Sequence, residues 1–393
     1  MNQQRVPGVD AIRGVAALTV ALGHLWWLGG SAGLDHGPFR AILASSYIGV
    51  DVFYVISGMV LLLPIVNGGS LGRTRDYYRR RWARIGPLYV LALAVGMLLR
   101  PLLLAPDLKG LHLPSLPAVA ISHLLFLQNV VYGNVPGGVG FGVDGVVWTL
   151  AIEAAFYLVL PFIAHWWVRH PVLGLALGTA LARAWVTIGL HLPHSGQDRI
   201  GHPLTDVRWR WLIQPPTYAA HFAVGMSLAV LLVRLRQHPA RATIARFSVP
   251  IAVTGAGLLL LYMQRQGTVE LAGRQGSFDH VTRTWEALPG MALLILGVAL
   301  RPHRPLDGRI GAFIGDTSYG LYLWHLMIVE LLVYQFGLHG ADNGTFLLLL
   351  PGLAVTYAIA WAGFRWVETP LRRRLAGRAV TAVAAPVLAG VAS

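Results

Sequence analysis

Residues 10 to 27 read DAIRGVAALTVALGHLWW, and this stretch decides the fold. An apolar run of about 20 residues has the length that crosses the hydrocarbon core of a bilayer as a helix. The run also carries Asp10, Arg13 and His24, whose polar side chains are costly to place in lipid. At about 3.6 residues per turn, these three side chains share one face of the helix. The stretch therefore predicts a membrane helix with a polar track along one side.

The polar track has two interpretations. Asp10 and Arg13 could anchor one end of the helix at the membrane interface, and His24 could be a hydrogen-bonded core residue. A single intramembrane histidine is usually explained in that way. Further polar groups in the later apolar segments favour a functional face instead.

The composition of the chain indicates a membrane protein. Of its 393 residues, 55% are hydrophobic and only 12% are charged, about half the charge of a typical soluble domain. The repeated apolar segments predict an all-α, polytopic integral membrane helical bundle. The net charge of +14 comes from arginines in short loops, a pattern that indicates orientation in the membrane rather than nucleic-acid binding. Cysteine is absent, which excludes disulfides and thiolate nucleophiles.

The positions of the arginines predict the number of membrane crossings. Eleven apolar segments occur along the chain, and four arginine-rich loops must share the cytoplasmic side. With the N-terminus and all four loops on one side, the number of crossings must be even, so one of the eleven segments does not cross the membrane. The segment 117–132 is short and is interrupted by His123, Gln128 and Asn129. We predict about ten transmembrane helices, one re-entrant or interfacial segment at 117–132, and both termini in the cytoplasm.

The same topology assigns the loops and the domain boundary. The loops at 133–145 and 192–214 are expected to face outward. Residues 1–378 form one predicted transmembrane domain. The apolar tail at 379–393 is too short to span the bilayer and is expected to be disordered or interfacial.

Two arginines at the start of the third apolar segment are candidates for phosphate binding. Arg81 and Arg84 are three residues apart, so they share one face if the helix begins before them. Their planar guanidinium groups suit phosphate oxygens. Alternatively, they orient the protein and attract anionic lipid head groups.

Three other segments place polar side chains inside predicted helices. Glu153 lies in the fifth segment, where a carboxylate either forms an ion pair or handles protons. Ser318, Tyr322 and His325 form one polar stripe in the tenth segment, which suits the lining of a cavity. Asp51, near the outer end of the second segment, either caps its helix or binds an acceptor.

Six stretches, taken in order, resemble the acyltransferase 3 family of bacterial membrane O-acyltransferases. The resemblance covers nearly the whole chain and rests on Asp10 to His24, Asp51 to Gly58, Arg81 with Arg84, Trp148 to Tyr157, Ser318 to His325, and Glu368-Thr369-Pro370. The chain departs from the family pattern at Ala11-Ile12, Gly23 and Tyr54. These departures remove no functional side chain, so they bear on the choice of acceptor rather than on the reaction.

The resemblance implies transfer of an acyl group, expected to be acetyl, from acyl-CoA to a hydroxyl. The acceptor would belong to a carbohydrate, a cell-envelope glycan or a macrolide-type natural product. Acyl-CoA is then a co-substrate that enters from the cytosol, in a protein of the bacterial cytoplasmic membrane. No metal or permanently bound cofactor is expected, because the sequence lacks an HExxH pair, a P-loop and histidines at metal-ligand spacing.

The resemblance also suggests a role for each candidate side chain. We expect His24 to take the proton from the acceptor hydroxyl, with Glu153 orienting its ring. The donor-binding set consists of Asp10, Arg13, Arg81 and Arg84. The set expected to bind the acceptor or to line the cavity consists of Asp51, Trp148, Ser318, Tyr322 and His325.

Two other classes of function remain open at this point. A transporter or flippase would also place charged residues inside about ten spans, although the sequence shows neither an inverted repeat nor paired broken helices. A non-catalytic membrane sensor or scaffold would tolerate replacement of His24, Glu153 and the arginine pair.

Overall fold

The computed structural model describes residues 6–29, 38–103, 115–131, 145–192, 207–271, 283–338 and 343–376. The predicted tail at 379–393 lies outside these ranges. So do most residues of the two loops that are expected to face outward.

Helices account for the described fold, and no strand occurs in the ranges above. The first half contains α1 (Pro7–Leu28), α2 (Pro38–Ala44), α3 (Ile48–Val66), α4 (Thr74–Leu103), α5 (Leu116–Leu124), α6 (Gln128–Val131), α7 (Trp148–Arg169) and α8 (Pro171–Leu190). The second half contains α9 (Val207–Leu212), α10 (Ala219–Gln237), α11 (Arg241–Arg246), α12 (Ser248–Leu271), α13 (Leu288–Leu300), α14 (Arg304–Asp307), α15 (Arg309–Phe336), α16 (Asn343–Ala362) and α17 (Thr369–Ala376). Short 3-10 turns precede α10 and α13, at Pro215–Tyr218 and Thr284–Ala287, and a π-helical turn, Gly363–Glu368, joins α16 to α17.

Seven of the described helical segments are long and apolar enough to cross a membrane. They lie in α1, α3, α4, α7 and α8, in α10 with the turn before it, and in α16 with the turn and helix after it. The predicted all-α polytopic membrane fold is therefore confirmed. The total of about ten crossings stays a prediction, because α12, α13 and α15 fall outside this set.

Within the segment 117–132, the described residues, which end at 131, form two short helices, α5 and α6, instead of one span. The nine residues of α5 rise only about 14 Å, less than half the thickness of the hydrocarbon core. Gln128 donates a hydrogen bond to the carbonyl oxygen of Val147 at 3.1 Å, and Asn129 donates one to that of Trp148 at 3.0 Å. Two of the three polar side chains that interrupt this segment, Gln128 and Asn129, therefore hold the start of α7.

The α1 helix packs along α15 at backbone-to-backbone distance. A Cβ atom at Gly14 would lie 2.5 Å from the carbonyl oxygen of Ile314, and one at Gly315 would lie 2.8 Å from that of Asp10. Small residues allow such close helix approach in membranes. The crossing brings the polar face of α1 against the polar stripe of α15.

Candidate active site

A cavity of about 830 Å³ opens between α1, α3, α4, α7, α15 and the π-helical turn with α17. Six arginines line it, and we call it the arginine cavity: Arg13, Arg80, Arg81, Arg84, Arg372 and Arg373. Four acidic residues also face it, namely Asp10, Glu153, Asp316 and Glu368. Its volume lies in the range of small-molecule binding sites, and its charge suits an anionic ligand that also carries neutral polar groups.

The predicted arginine pair lies in the wall of this cavity. The N-terminal part of α4 presents Arg81 and Arg84 on the same side of the helix, as their spacing predicts. The guanidinium carbon of Arg81 lies 5.8 Å from the ring centre of Tyr77 and 6.0 Å from that of Tyr157. These cation–π contacts hold Arg81 in place. Its Nε atom is buried and has no hydrogen-bond partner in the described part of the chain.

Arg13 joins α1 to α15 across their close crossing. Its Nη2 atom lies 3.3 Å from Oδ1 of Asp10 and donates to the carbonyl oxygen of Gly315 at 3.0 Å. Its Nε atom donates to Oγ of Ser318 at 3.0 Å. Asp10 and Ser318 therefore fix the guanidinium of Arg13, and all three side chains line the arginine cavity.

Glu153 also lines the arginine cavity, but its contacts differ from those expected. Its Oε1 atom accepts hydrogen bonds from Ser57 at 2.8 Å and from Tyr157 at 2.5 Å. The structure therefore places this carboxylate with two hydroxyl groups, and it gives His24 a different partner. Ser57 and Tyr157 belong to the stretches that carry the family resemblance, although the sequence alone assigned them no contact with Glu153.

His24 and His325 form a hydrogen-bonded pair between α1 and α15. Nδ1 of His24 lies 2.9 Å from Nε2 of His325, and Nδ1 of His325 lies 3.1 Å from the carbonyl oxygen of Leu321. Because that carbonyl can only accept, Nδ1 of His325 carries the hydrogen in the neutral ring and Nε2 is an acceptor. Nδ1 of His24 then donates, which leaves a free electron pair on Nε2 of His24. In this tautomer Nε2 of His24 is a hydrogen-bond acceptor.

Tyr322 lies between the histidine pair and the arginine cavity. Its ring centre is 5.7 Å from that of His325, and its hydroxyl lies 3.0 Å from Oγ1 of Thr149. Phe53 packs edge-on against the Tyr322 ring, with centres 5.4 Å apart. Phe53, Thr149 and Tyr322 all line the arginine cavity. His24 and His325 are not part of the lining; His325 is fully buried, whereas His24 is partly exposed.

Besides His325, two further residues expected to bind the acceptor or to line the cavity lie elsewhere. Asp51 is buried, and its Oδ1 atom lies 3.3 Å from Nε2 of His221 on α10. The Trp148 ring packs 6.2 Å from the ring of Tyr218. Neither Asp51 nor Trp148 lines the arginine cavity. Sequence analysis missed His221, since a lone histidine near the start of an apolar segment carries no spacing signal.

Comparison with known protein families assigns the chain to a family. A family model described as an acyltransferase domain matches residues 6–365, so the chain belongs to this acyltransferase family. The match confirms the resemblance to the acyltransferase 3 family; five of the six sequence stretches lie within it, and Glu368-Thr369-Pro370 lies just beyond its end. No solved structure matches the chain.

Curated relatives align over nearly all of the chain. The chain is similar to the peptidoglycan O-acetyltransferase OatA of Listeria monocytogenes, at 26% identity over 95% of this chain and 56% of the relative. It is also similar to the O-acetyltransferase OatA of Staphylococcus aureus, at 23% identity over 94% of this chain and 57% of the relative. The ORF330 protein of Acidianus two-tailed virus is 26% identical, over 95% of this chain and 92% of that protein. The chain thus spans a little over half the length of the two OatA proteins.

Proposed function

We propose that this chain is a membrane O-acyltransferase that moves an acetyl group from acetyl-CoA to a hydroxyl of a cell-envelope glycan. The family and the OatA relatives support acetyl transfer to such a glycan. One observation carries the assignment to this site: Tyr322 lines the arginine cavity, and its ring contacts His325, the partner of His24. The Tyr322 side chain therefore lies between the cationic site for the donor and His24, the base for the acceptor.

The arginine cavity supports CoA as the donor. Guanidinium groups bind phosphate oxygens through paired, charge-assisted hydrogen bonds. Arg81 and Arg84 take the phosphates of CoA in this arrangement. The pantetheine arm then passes Arg13, which Asp10 and Ser318 hold in place, and brings the thioester to Tyr322.

His24 acts as the general base of the transfer. Its Nε2 atom takes the proton of the acceptor hydroxyl as the hydroxyl oxygen attacks the thioester carbonyl carbon. The C–O bond forms, the C–S bond breaks, and CoA leaves as a thiolate that receives the proton from His24. His325 positions the ring and accepts the hydrogen bond from Nδ1 throughout. The reaction balances with no further reactant.

The orientation of the helices supports acceptor access from the outer side. Arginine-rich loops mark the cytoplasmic face, so both termini lie in the cytoplasm and the protein resides in the bacterial cytoplasmic membrane. His24 lies four residues before the end of α1 at Leu28, near the opposite face. We infer that the acceptor hydroxyl reaches His24 from that side.

Radiolabelled acetyl-CoA tests the reaction and the class of acceptor together. Membranes that contain the chain are incubated with [acetyl-14C]acetyl-CoA, and the envelope glycan is purified. We expect base-labile label in the glycan. Label in a small extractable product would assign a natural-product acceptor. The absence of acetyl ester in every fraction, from protein that folds and binds CoA, would contradict the transferase and favour a transporter or flippase.

A further inference from the structure

Glu368 carries a buried carboxylate oxygen that the described fold leaves unsatisfied. The residue ends the π-helical turn between α16 and α17, lines the arginine cavity, and is only 4% exposed. Arg372 donates a hydrogen bond to its Oε1 atom at 3.2 Å. Its Oε2 atom is buried and has no hydrogen-bond partner within the described ranges. A buried polar atom without a partner is destabilising, so an unpaired oxygen on a residue that lines the cavity indicates a ligand.

The chemistry of a carboxylate limits what that ligand can present. An ionised carboxylate only accepts hydrogen bonds, so Oε2 of Glu368 needs an N–H or O–H group. The hydrogen bond from Arg372 and the nearby guanidinium groups of Arg84 and Arg13 favour the ionised form of this carboxylate, against the opposing effect of its burial. The ligand therefore places an anionic group on the arginines and a neutral donor group beside them. Local π-helical turns often mark functional sites, which agrees with a ligand contact here.

We infer that Oε2 of Glu368 accepts a hydrogen bond from the exocyclic amino group of the adenine ring of acyl-CoA. The inference rests on the proposed donor. The nucleotide end of CoA stays with the arginines, because the pantetheine arm reaches inward to Tyr322. At that end the donors are the ribose hydroxyl and the adenine amine. The hydroxyl adjoins a phosphate whose negative charge would repel Glu368, whereas the amine lies at the far edge of the base.

The donor group is tested with CoA and 1,N6-etheno-CoA, which lacks the amino hydrogens. Both ligands are titrated onto the detergent-purified full chain and onto Glu368→Ala. One charge-assisted hydrogen bond corresponds to about tenfold in affinity or more. The wild type should bind CoA about tenfold more tightly than etheno-CoA. Glu368→Ala should bind both ligands equally, with its affinity for etheno-CoA no lower than that of the wild type, which also shows that the site is folded.

Electrostatics alone predicts that Glu368→Ala binds CoA more tightly than the wild type, not more weakly. Removing a negative charge beside arginine-bound phosphates would tighten CoA binding, so weaker binding by Glu368→Ala requires a lost direct contact. Asp76→Asn is the matched control, because Asp76 pairs with Arg79 at 3.3 Å on the exposed part of α4 and does not line the cavity. It should keep the wild-type preference for CoA.

A second comparison separates direct contact from an effect through Arg372. If Glu368 only positions Arg372, Arg372→Gln will abolish the preference for CoA over etheno-CoA; if Glu368 binds the amine, the preference persists in that variant. Equal binding of both ligands by the wild type, or a preference retained in Glu368→Ala, would overturn the inference and leave the donor assignment intact. Failure of the folded wild type to bind CoA at all would overturn the donor assignment itself.

Discussion

Nδ1 of His24 lies 2.9 Å from Nε2 of His325, although 301 positions separate the two residues in the sequence. The bond spans the first helix and the helix that carries the Ser-Tyr-x-x-Tyr-Leu-x-His stretch. It explains why a polar face on α1 and a polar stripe on α15 occur in the same apolar chain. Each face alone would be costly in lipid, and each satisfies the other.

Replacing His24 should abolish transfer without removing the donor. General-base catalysis is worth about 10²–10⁴-fold, and His24→Ala leaves every residue of the arginine cavity in place. We expect label transfer from acetyl-CoA to fall by that factor while CoA affinity stays within twofold. Retention of full transfer by His24→Ala would contradict the assignment of the base.

Replacing His325 should lower kcat and leave the KM for acetyl-CoA unchanged. His325→Ala removes the acceptor for Nδ1 of His24, a hydrogen bond to a charged ring worth about 1.5–3 kcal/mol in the transition state. The expected loss in kcat is about 10–100-fold. His325→Gln should recover part of the rate, because its amide oxygen can accept the same bond.

Glu153→Gln is compared with His325→Ala in the same measurement of kcat. Its amide oxygen can still accept from Ser57 and Tyr157, and the structure gives Glu153 no contact with His24. A loss in kcat with Glu153→Gln equal to that with His325→Ala would restore Glu153 as the residue that orients His24.

The close crossing of α1 and α15 should not tolerate even one methyl group. In Gly14→Ala the new Cβ would lie 2.5 Å from the backbone oxygen of Ile314, and such overpacking costs about 1–3 kcal/mol. We expect a lower unfolding temperature in detergent and reduced transfer. Gly257→Ala is the control, because its added Cβ would meet no atom within 4 Å outside the nearby backbone of its own helix. An equal fall in unfolding temperature for both variants would contradict the claim that the α1–α15 crossing is tightly packed.

The buried pair of Asp51 and His221 should behave as a unit. Their side chains are each 3% exposed, so His221→Ala leaves the buried Asp51 side chain without this polar neighbour, and an unsatisfied buried polar group costs about 1–3 kcal/mol. The double variant Asp51→Asn/His221→Ala should be less destabilised than His221→Ala, as measured by thermal unfolding. Additive losses would show that the two side chains do not interact.

The sequence predicts which residues share a face, because the helical period determines it. The single face of Asp10, Arg13 and His24, and the stripe of Ser318 and His325, follow from spacing alone. Both features are present, and the segment 117–132 does not form a single span. The arginine pair likewise faces one cavity, as its three-residue spacing implies.

Helical periodicity does not predict which helix face packs against which other helix. The partners of Glu153, Asp51 and His24 depend on how α3, α7, α10 and α15 pack, and no local pattern encodes that packing. His221 shows the limit most clearly, since it lies alone in an apolar segment. The resemblance to a family supplies an order of motifs, and the contacts between them come from the fold.

The most direct test of the central claim is equilibrium binding of acetyl-CoA to the detergent-purified chain at low and moderate salt. The wild type is compared with Arg81→Gln/Arg84→Gln and with Arg73→Gln/Arg75→Gln, an equal charge change at exposed residues outside the cavity. We predict saturable, salt-sensitive binding that the first pair of substitutions abolishes and the second leaves within about threefold, as expected for surface charges acting through screening. Absence of binding by folded wild type, or equal losses in both double variants, would contradict the claim that the arginine cavity holds the acyl donor.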